Sequence, residues 1–398
     1  MKKAVWMYCI ASLFLIFEMA VQVSPSVMTT QLMQDLQMGV LGLGFMSGCY
    51  FYSYTAMQVP SGLLFDRFHP RLVMVAAISL CALGCIILGL STSMWMACFS
   101  RILMGFGSAF AFVSVLVVTA DLFSSKHFAT LTGVTQMLAS FGAMSGQLPV
   151  HVLVNYLGWR HTLFCFAFIG FLIALLVYCF LRYEKKLILV LNSKSSGSHF
   201  KAIVASRQTW AIAAYACLLW APMSAFTSLW GVPFLINVDH FSAGTAAFIC
   251  SLMWVGLAVA SPLLGIISTR YQQRKIFLVL SAGIGAVVFA MVLFWQMNAV
   301  MVAILLLLAG AACSGQALSF TVVKENNAVP VVGTALALNN MAVVISGALF
   351  QPFIGGMLHY MAGHGSLTYR IALSGVFAAY LLGCGVAYLF INEPKQLH

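Results

Sequence analysis

Charged side chains are scarce in this chain of 398 residues: Asp, Glu, Lys and Arg together make up 7% of it, and only 8 residues are acidic. Hydrophobic residues make up 62%, and the mean hydropathy is +1.01. So little charge cannot cover the surface of a water-soluble domain of this size, which excludes a soluble globular protein. The composition indicates a protein that lies in a lipid bilayer.

The sequence also lacks the spaced motifs of metal, disulfide and hydrolase sites. Its 11 Cys residues form no C-x-x-C pair, and Cys81 and Cys85 are interpreted as two core or lipid-facing thiols. No H-E-x-x-H or G-x-S-x-G motif occurs. We therefore expect no cofactor, no metal and no enzymatic activity. A membrane enzyme, a channel and a receptor stay as rival classes, although no repeated pore loop or sizeable soluble domain is evident.

Long hydrophobic runs are what the chain has in abundance. Runs of about 20 residues, enough for a helix to cross the hydrocarbon core, can be counted along it. There are twelve, at about 4–24, 40–62, 71–91, 94–119, 128–153, 160–181, 209–233, 244–267, 275–295, 299–322, 332–358 and 367–391. The first run carries Glu18 and lacks a small-residue cleavage site, so it is interpreted as a retained span rather than a signal peptide.

The distribution of basic residues predicts the orientation of these spans. Most of the 19 Lys and Arg residues lie at the chain ends or in alternate loops, which is the positive-inside pattern. The net charge of +11 is thus attributed to topology, and no nucleic-acid partner is expected. An even number of spans puts both termini on one side, predicted to be the cytoplasm, and we expect a multi-pass protein of a bacterial-type inner membrane.

The chain contains an internal repeat. GLLFDRFHPR at 62–71 aligns without gaps on GIISTRYQQR at 265–274, each directly after the second span of its half. A loop rich in Ser, Gly and Lys at 182–208 is predicted to link an N-terminal six-helix bundle (1–181) to a C-terminal one (209–398). Parallel repeats of this kind build transporters with a central site between the halves.

Two motifs carry a resemblance to a known family. The Gly-x-x-x-Asp-Arg-x-x-x-Arg signature of residues 62–71, its second copy and the Arg-x-x-x-Gly-x-Gly element of residues 101–107 resemble the major facilitator superfamily over essentially the whole chain. VSPSVM at Val23 and ENNAVPVVGTALALNN at Glu325 are similar to the bacterial anion:cation symporter branch, which carries organic anions such as sugar acids. The resemblance implies an all-α membrane protein with twelve transmembrane helices in two pseudo-symmetric six-helix bundles, working by alternating access.

The sequence departs from these patterns at a few positions. Thr269 replaces the Asp of the second signature, and Gln22 stands where many anion carriers of this branch have Arg. Gln147 and Leu148 interrupt the Gly-Pro element that antiporters carry in the fifth span. The last departure favours import over export.

Two charged residues fall deep inside predicted spans. Glu18 lies near the middle of the first span and Arg101 about a third of the way into the fourth. A carboxylate at such a depth is costly and indicates a functional site with a partner, for which Arg101 is the candidate. We expect proton binding at Glu18 to release Arg101 to a substrate anion. The alternative is a structural ion pair that fixes helix register.

The repeated signature is expected to form a gate on the cytoplasmic face, since the resemblance implies contacts that hold the outward-open state. The alternative is loop solvation and orientation. The residues assigned to this gate are Gly62, Asp66, Arg67, Arg71, Gly265, Arg270 and Arg274.

Polar and aromatic residues deep in spans are predicted to line the substrate path, because lipid cannot satisfy their hydrogen bonds. The substrate-binding candidates are Gln22, Tyr50, Tyr54, Gln58, Arg101, Gln136, Gln147, Trp220, Trp254, Gln316, Asn339, Asn340 and Gln351.

We predict a secondary active transporter of a small, anionic metabolite with proton symport. A proton-driven exporter of drugs or other apolar molecules is the alternative, and the 22 Met residues would suit varied apolar ligands. The expected partners are a small-molecule substrate, the lipid bilayer and a coupling proton, with sodium as the other candidate ion. A monomer suffices for this architecture.

Overall fold

The structure is a computed structural model that describes residues 2–123, 125–182, 205–327, 332–361 and 366–393. Within these ranges all regular structure is helical. The first half contains α1 (Lys2–Val23), α2 (Thr29–Asp35), α3 (Val40–Ala56), α4 (Gln58–Arg67), α5 (Pro70–Gly89), α6 (Met94–Ser108), α7 (Ala111–Leu122), α8 (Ser125–Ser145) and α9 (Leu148–Phe180).

The second half repeats this arrangement. It contains α10 (Arg207–Ala221), α11 (Gly231–Asn237), α12 (Ala243–Tyr271), α13 (Arg274–Phe294), α14 (Ala299–Ala312), α15 (Gly315–Asn326), α16 (Val332–Tyr360) and α17 (Ser366–Phe390). A 3₁₀ turn at Ser24–Val27 follows α1, and a π-helical segment at Pro222–Trp230 joins α10 to α11. Most of the predicted linker, residues 183–204, lies outside the described residues.

The helices confirm twelve spans. Within the described ranges, ten helical segments are long and apolar enough to cross a membrane, and the longest of them, 133–180, is divided at the non-helical Gly158 into 133–157 and 159–180. Gly158 has φ of 77°, a conformation that glycine adopts without steric cost. The second span consists of α3 and α4, which continue through Met57, whose N–H donates to the Ser53 carbonyl at 3.1 Å.

Numbered in chain order, the spans are α1, α3–α4, α5, α6–α7, α8 with the start of α9, and the rest of α9 in the first half. In the second half they are α10–α11, α12, α13, α14–α15, α16 and α17. The protein is thus a multi-pass membrane protein of two six-helix bundles.

Equivalent positions in the two halves have equivalent packing. A Cβ atom added to Gly105 of α6 would lie 2.0 Å from the Tyr50 carbonyl oxygen, and one added to Gly310 of α14 would lie 2.0 Å from the Met253 carbonyl oxygen. Spans 2 and 4, and likewise spans 8 and 10, therefore approach each other as closely as backbones can. The duplication read from the sequence extends to these contacts.

The two halves meet tightly on one side of the membrane. We call the sides the Lys2 side and the Val40 side, after the residues at which α1 and α3 begin. On the Val40 side, a Cβ at Gly44 would lie 2.7 Å from the Gln351 carbonyl oxygen, and one at Gly48 would lie 2.8 Å from Pro352. On the Lys2 side, a Cβ at Gly62 or Gly265 would meet no atom of the described residues within 4 Å. The structure is therefore closed toward the Val40 side.

Candidate functional site

Glu18 lies at the centre of the candidate site. This residue of α1 is fully buried, and its carboxylate oxygen Oε1 accepts a hydrogen bond from the hydroxyl of Tyr50 on α3. The second oxygen, Oε2, is buried without a hydrogen-bond partner among the described residues. A carboxyl group in this position has one anchored oxygen and one oxygen left for a proton or a ligand.

Arg101 on α6 lies over the face of the Tyr50 ring. Its guanidinium carbon is 4.5 Å from the ring centroid, a cation–π contact, and the residue is only 1% exposed. Nη1 donates to the Val21 carbonyl at 3.4 Å and to the Met104 sulfur at 3.6 Å, which are long hydrogen bonds. Nε has no partner in the described part of the chain. The guanidinium is therefore held in place by the ring, but its N–H groups make only weak hydrogen bonds.

The expected direct contact between Glu18 and Arg101 is not formed. The ion pairs found among the described residues do not include it, and Tyr50 is the residue that touches both side chains. The physical reason is that Tyr50 offers a hydroxyl to the anion and a ring face to the cation. Tyr54, one turn further on α3, has its ring centroid 5.9 Å from that of Tyr50.

Two glutamines that were predicted from the sequence contact span 7. Gln147 belongs to the first half, in span 5, and Gln351 to the second half, in span 11. Gln147 Nε2 donates to the Thr227 carbonyl at 2.8 Å, and Gln351 Nε2 donates to the Ser224 carbonyl at 2.7 Å. Both carbonyls belong to the π-helical segment, whose wider turn leaves backbone oxygens open to side-chain donors. The Gln147 bond crosses from one half to the other.

Other candidates form smaller groups. Asn340 Nδ2 donates to Gln58 Oε1 at 2.5 Å across the two halves, and Asn339 Nδ2 donates to Ser319 Oγ at 2.9 Å within the second half. Trp220 and Trp254 form an edge-to-face pair with centroids 6.1 Å apart, and Trp254 Nε1 is buried without a partner in the described ranges.

The remaining polar candidates are not drawn into these groups. Gln22 and Gln316 are buried and Gln136 is half-buried, and none has a side-chain hydrogen bond within the part of the chain that the structure describes. Sequence reasoning missed Ser224, Thr227 and Ser319, which supply the partners of the glutamines and of Asn339. Pro222, at the start of the π-helical segment, was the available signal.

The second copy of the repeated signature is held within its own half. Arg274 makes two hydrogen bonds to Glu325, Nη2 to Oε1 at 2.8 Å and Nε to Oε2 at 3.2 Å, and its Nη1 also donates to Ser268 Oγ and Thr269 Oγ1 at 2.7 and 2.9 Å. The Glu393 carboxylate accepts from the backbone N–H groups of Arg274 and Lys275 at the start of α13. Arg270, by contrast, is exposed.

The first copy has looser contacts. The guanidinium of Arg71 lies 5.1 Å from the ring centroid of Tyr178, and Arg67 is exposed. The side chain of Asp66 lies outside the described residues. Among the described residues no contact closes around Gly62 or Gly265, and the gate role assigned to these residues stays a prediction.

The Val40 side carries a second duplicated arrangement. Arg160 Nη1 donates to the carbonyls of Gly89 and Ser91 at 2.9 and 2.7 Å, and its Nε lies 3.8 Å from Asp35. In the second half, Arg370 Nη1 donates to the Leu293 carbonyl at the equivalent end of α13. Each arginine satisfies carbonyls at a helix C-terminus, where a cation is favoured.

The aspartates of these two arrangements differ in their partners. Asp35 accepts a hydrogen bond from Trp159 Nε1 at 2.8 Å, whereas the equivalent Asp239 has an oxygen, Oδ2, buried without a partner in the described structure. Burial raises the pKa of Asp239 to about 6, although Arg370 and His240 beside it act in the opposite direction.

Comparison with known proteins identifies the family. The model of the Major Facilitator Superfamily matches residues 10–349 and also 232–398. A probable sulfoacetate transporter, SauU, of Cupriavidus necator is 23% identical over 93% of this chain and 90% of its own. The probable galactarate/D-glucarate transporter GarP of Escherichia coli is 23% identical over 38% of this chain and 35% of its own.

The fold of a solved transporter is also shared. A bacterial homolog of the human lysosomal transporter Spinster, in an inward-facing and unoccupied conformation, superposes with a TM-score of 0.84 and 15% identity, covering 100% of this chain and 99% of that one. Twelve spans, two duplicated bundles and the family match agree. The chain belongs to the major facilitator superfamily.

Proposed function

We propose that this protein is a proton-coupled symporter of small organic anions, placed in a bacterial-type inner membrane with both termini in the cytoplasm. One observation carries the proposal: a fully buried carboxyl group, Glu18, is linked through Tyr50 to a buried guanidinium, Arg101, in the first half of a membrane transporter. The relatives SauU and GarP, which are named as probable transporters of organic anions, support the choice of substrate.

The coupling follows from charge balance in a low-dielectric site. With Glu18 ionised and Arg101 charged, the empty site is neutral, so an incoming anion has no net attraction to it. A proton on Glu18 leaves Arg101 as an unbalanced cation, which attracts the anion. The loaded site is neutral again when it holds the proton and one singly charged acid group of the anion. Only these two states avoid a net buried charge, so the proton and the anion move together.

Tyr50 has two roles in this scheme. Its hydroxyl holds Glu18 in place as a donor to the carboxylate, and it can become the acceptor when the carboxyl group carries the proton. Its ring holds the guanidinium of Arg101 beside the same carboxyl group. A change of protonation at Glu18 therefore alters the electrostatic environment of Arg101 through Tyr50, without a direct ion pair.

The two bundles are proposed to move as units. They comprise residues 1–181 and 209–398, joined by the linker 182–208. Contacts on the Val40 side, such as the Gln147 bond to Thr227, would break when that side opens. The two copies of the repeated signature would then come together on the cytoplasmic side. Their residues are Gly62, Asp66 and Arg71 in the first half and Gly265, Arg270 and Arg274 in the second.

Transport in proteoliposomes tests this proposal. An inward proton gradient should drive accumulation of a labelled acid such as galactarate or sulfoacetate in the wild type. Glu18→Gln should keep exchange of labelled for unlabelled acid and lose gradient-driven accumulation, because its site no longer changes charge. Gln22→Ala, one turn further along α1, is the matched control and should keep the coupling.

Two results would contradict the proposal. Glu18→Gln with unchanged dependence on the proton gradient would remove Glu18 as the coupling group. Accumulation that depends on a sodium gradient and not on the proton gradient would mean that sodium, rather than the proton, is the coupling ion. Proton-driven efflux of apolar dyes without any acid transport would favour the exporter.

A further inference from the structure

Trp230 lies where three spans meet on the Val40 side. A Trp near the end of a span commonly lies at the membrane interface, but Trp230, the last residue of the π-helical segment in span 7, is only 1% exposed. Its ring atom Cζ2 lies 3.2 Å from the position that a Cβ would occupy at Gly44 of span 2, and equally far from that position at Gly355 of span 11. The ring therefore fills the junction of one span of the first half with two spans of the second.

The two glycines face each other across the boundary between the halves. A Cβ at Gly355 would lie 2.8 Å from the Val40 carbonyl oxygen and 3.3 Å from the Gly44 Cα atom. The three atoms nearest to a Cβ at Gly44 all belong to the second half, to Gln351, Trp230 and Gly355. The missing side chain of Gly44 therefore serves the contact between the halves rather than the packing of its own bundle.

Trp230 is held in place by its own half. Its Nε1 donates to the Gln351 carbonyl at 3.1 Å, and Gln351 Nε2 donates to the carbonyl of Ser224 in the same π-helical segment at 2.7 Å. Both bonds lie within the second half, so neither has to break when the first half moves away. Opening of the Val40 side would remove Gly44 from the ring and leave the ring in its orientation.

The junction lies between the candidate site and the Val40 side. Gly44 precedes Tyr50 by six residues on α3, which is about 9 Å at the rise of an α-helix. We infer that Trp230 is the plug of the Val40 side: its ring occupies a slot between Gly44 and Gly355 when this side is closed and is uncovered when this side opens. This inference goes beyond the proposed function and does not depend on the substrate or on the coupling ion.

A tryptophan suits this position for a physical reason. Its indole is a large rigid surface with one polar atom, and here that atom is bonded within the second half. The part of the ring that reaches Gly44 is apolar, so closing the junction buries apolar surface and opening it breaks no hydrogen bond of the ring. The contact between the halves can therefore form and separate repeatedly while the plug keeps its place.

Acrylamide quenching of tryptophan fluorescence tests whether the Val40 side controls the exposure of Trp230. Gly44→Ala would place a Cβ 2.7 Å from the Gln351 carbonyl oxygen, which holds the two halves apart. We expect the quenchable fraction to rise by the share of one Trp among the 8 of the chain. The rise should be absent when Gly44→Ala is combined with Trp230→Phe.

Gly356→Ala is the matched control for this experiment. It lies next to Gly355 in the same span, but its Cβ would meet only Leu41 Cδ1, at 3.9 Å, among the described residues. Its quenching should equal that of the wild type.

A proton leak tests the seal itself. The Val40 side is the closed one in this structure, so Trp230→Ala should open a gap in that closure. An imposed proton gradient should collapse several times faster with this variant than with the wild type, in proteoliposomes that contain no acid substrate and in which valinomycin and equal potassium remove the membrane potential. Trp295→Ala removes a ring that is 62% exposed directly after α13 and should leave the wild-type rate.

Three results would overturn the inference. They are unchanged quenching in folded Gly44→Ala, a gradient that Trp230→Ala retains as well as the wild type, and a leak that is equally fast in Trp295→Ala. The two experiments use different variants, so one of them decides even if a variant of the other fails to fold. Neither uses an acid, so their failure would leave the proposed symport standing.

Discussion

Arg274 at the start of α13 holds Glu325 at the end of α15 with two parallel hydrogen bonds, 2.8 and 3.2 Å long. This fork geometry is the strong form of an ion pair, and the Arg274 side chain is only 9% exposed. The pair joins spans 9 and 10 at the Lys2 side, next to the second copy of the repeated signature. It thus stabilises the second bundle in the state seen here.

Glu325→Gln should lower the stability of the protein. The substitution removes the charge of the pair and one acceptor, and because Glu325 is about one third exposed we expect a loss of about 1 kcal/mol. Thermal unfolding followed by tryptophan fluorescence would show a melting temperature about 2 °C lower. Arg270→Gln, an exposed charge in the same signature, should leave the melting temperature unchanged. Equal melting temperatures for both variants would mean that the Arg274–Glu325 pair contributes nothing to the stability of the protein.

Tyr50→Phe should separate the two roles of this ring. It keeps the aromatic face under Arg101 and removes the hydroxyl that donates to Glu18. We expect the maximal rate of proton-driven uptake to fall about tenfold or more, the value of a hydrogen bond to a charged group, with KM changed less than about twofold. Tyr50→Leu removes the ring as well and should also raise KM. A rate unchanged in Tyr50→Phe would exclude the hydroxyl from coupling.

Twelve spans and the duplication were predictable because hydrophobic length and a ten-residue repeat are local properties of the sequence. The depth of Glu18 and Arg101 followed from the same counting. The position of Tyr50 between them did not, since it depends on the rotation of α3 against α1 and α6. Helix rotation is set by packing of small residues such as Gly105, whose importance appears only when the neighbouring backbone is known.

The glutamine contacts were predictable only in part. Polarity inside a span indicated that Gln147 and Gln351 face a polar interface rather than lipid. Their bonds to Ser224 and Thr227 depend on a change of helical type in span 7, which has no signature beyond Pro222 and a few Ser and Thr residues. Glu325 was noted only as part of a family-like segment, because an ion pair 51 residues apart cannot be read from one sequence.

Gly105→Ala should prevent tight packing of spans 2 and 4. The added Cβ would lie 2.0 Å from the Tyr50 carbonyl oxygen and 2.3 Å from Ser53 Oγ, and a backbone oxygen cannot move aside without shifting a helix. We expect a loss of about 3 kcal/mol and little folded protein by size-exclusion chromatography.

Gly62→Ala is the informative comparison. Its Cβ would meet no atom within 4 Å in the part of the chain that the structure describes, so the folded yield should equal that of the wild type. If the proposed gate closes around Gly62 in the other state, this stable variant should transport slowly. Wild-type transport by Gly62→Ala would argue against close helix approach there, and a normal yield of Gly105→Ala would argue against the packing of α6 on α3.

Asp239→Asn should stabilise the protein at neutral pH. Burial raises the pKa of Asp239 from 3.8 to about 6, so the folded state favours its protonated form more than the unfolded state does. The stability contributed by this group is therefore full below pH 4 and is lost as the pH rises through 6. Asparagine stays neutral, and we expect a gain of about 1 kcal/mol at pH 7.5 after allowing for solvent screening at a partly exposed position.

Asp35→Asn is the matched control, because the equivalent Asp35 has Trp159 as a donor and should give no gain. Melting temperatures of both variants and the wild type between pH 4 and pH 8 provide the measurement. The curves of the wild type and Asp239→Asn should converge at pH 4 and separate above pH 6. A difference in melting temperature that stays constant over this range would contradict the predicted titration of Asp239. A loss of stability at pH 7.5 would mean that Asp239 is ionised and paired with Arg370, so that each half would have the same Asp–Arg ion pair at its Val40 end.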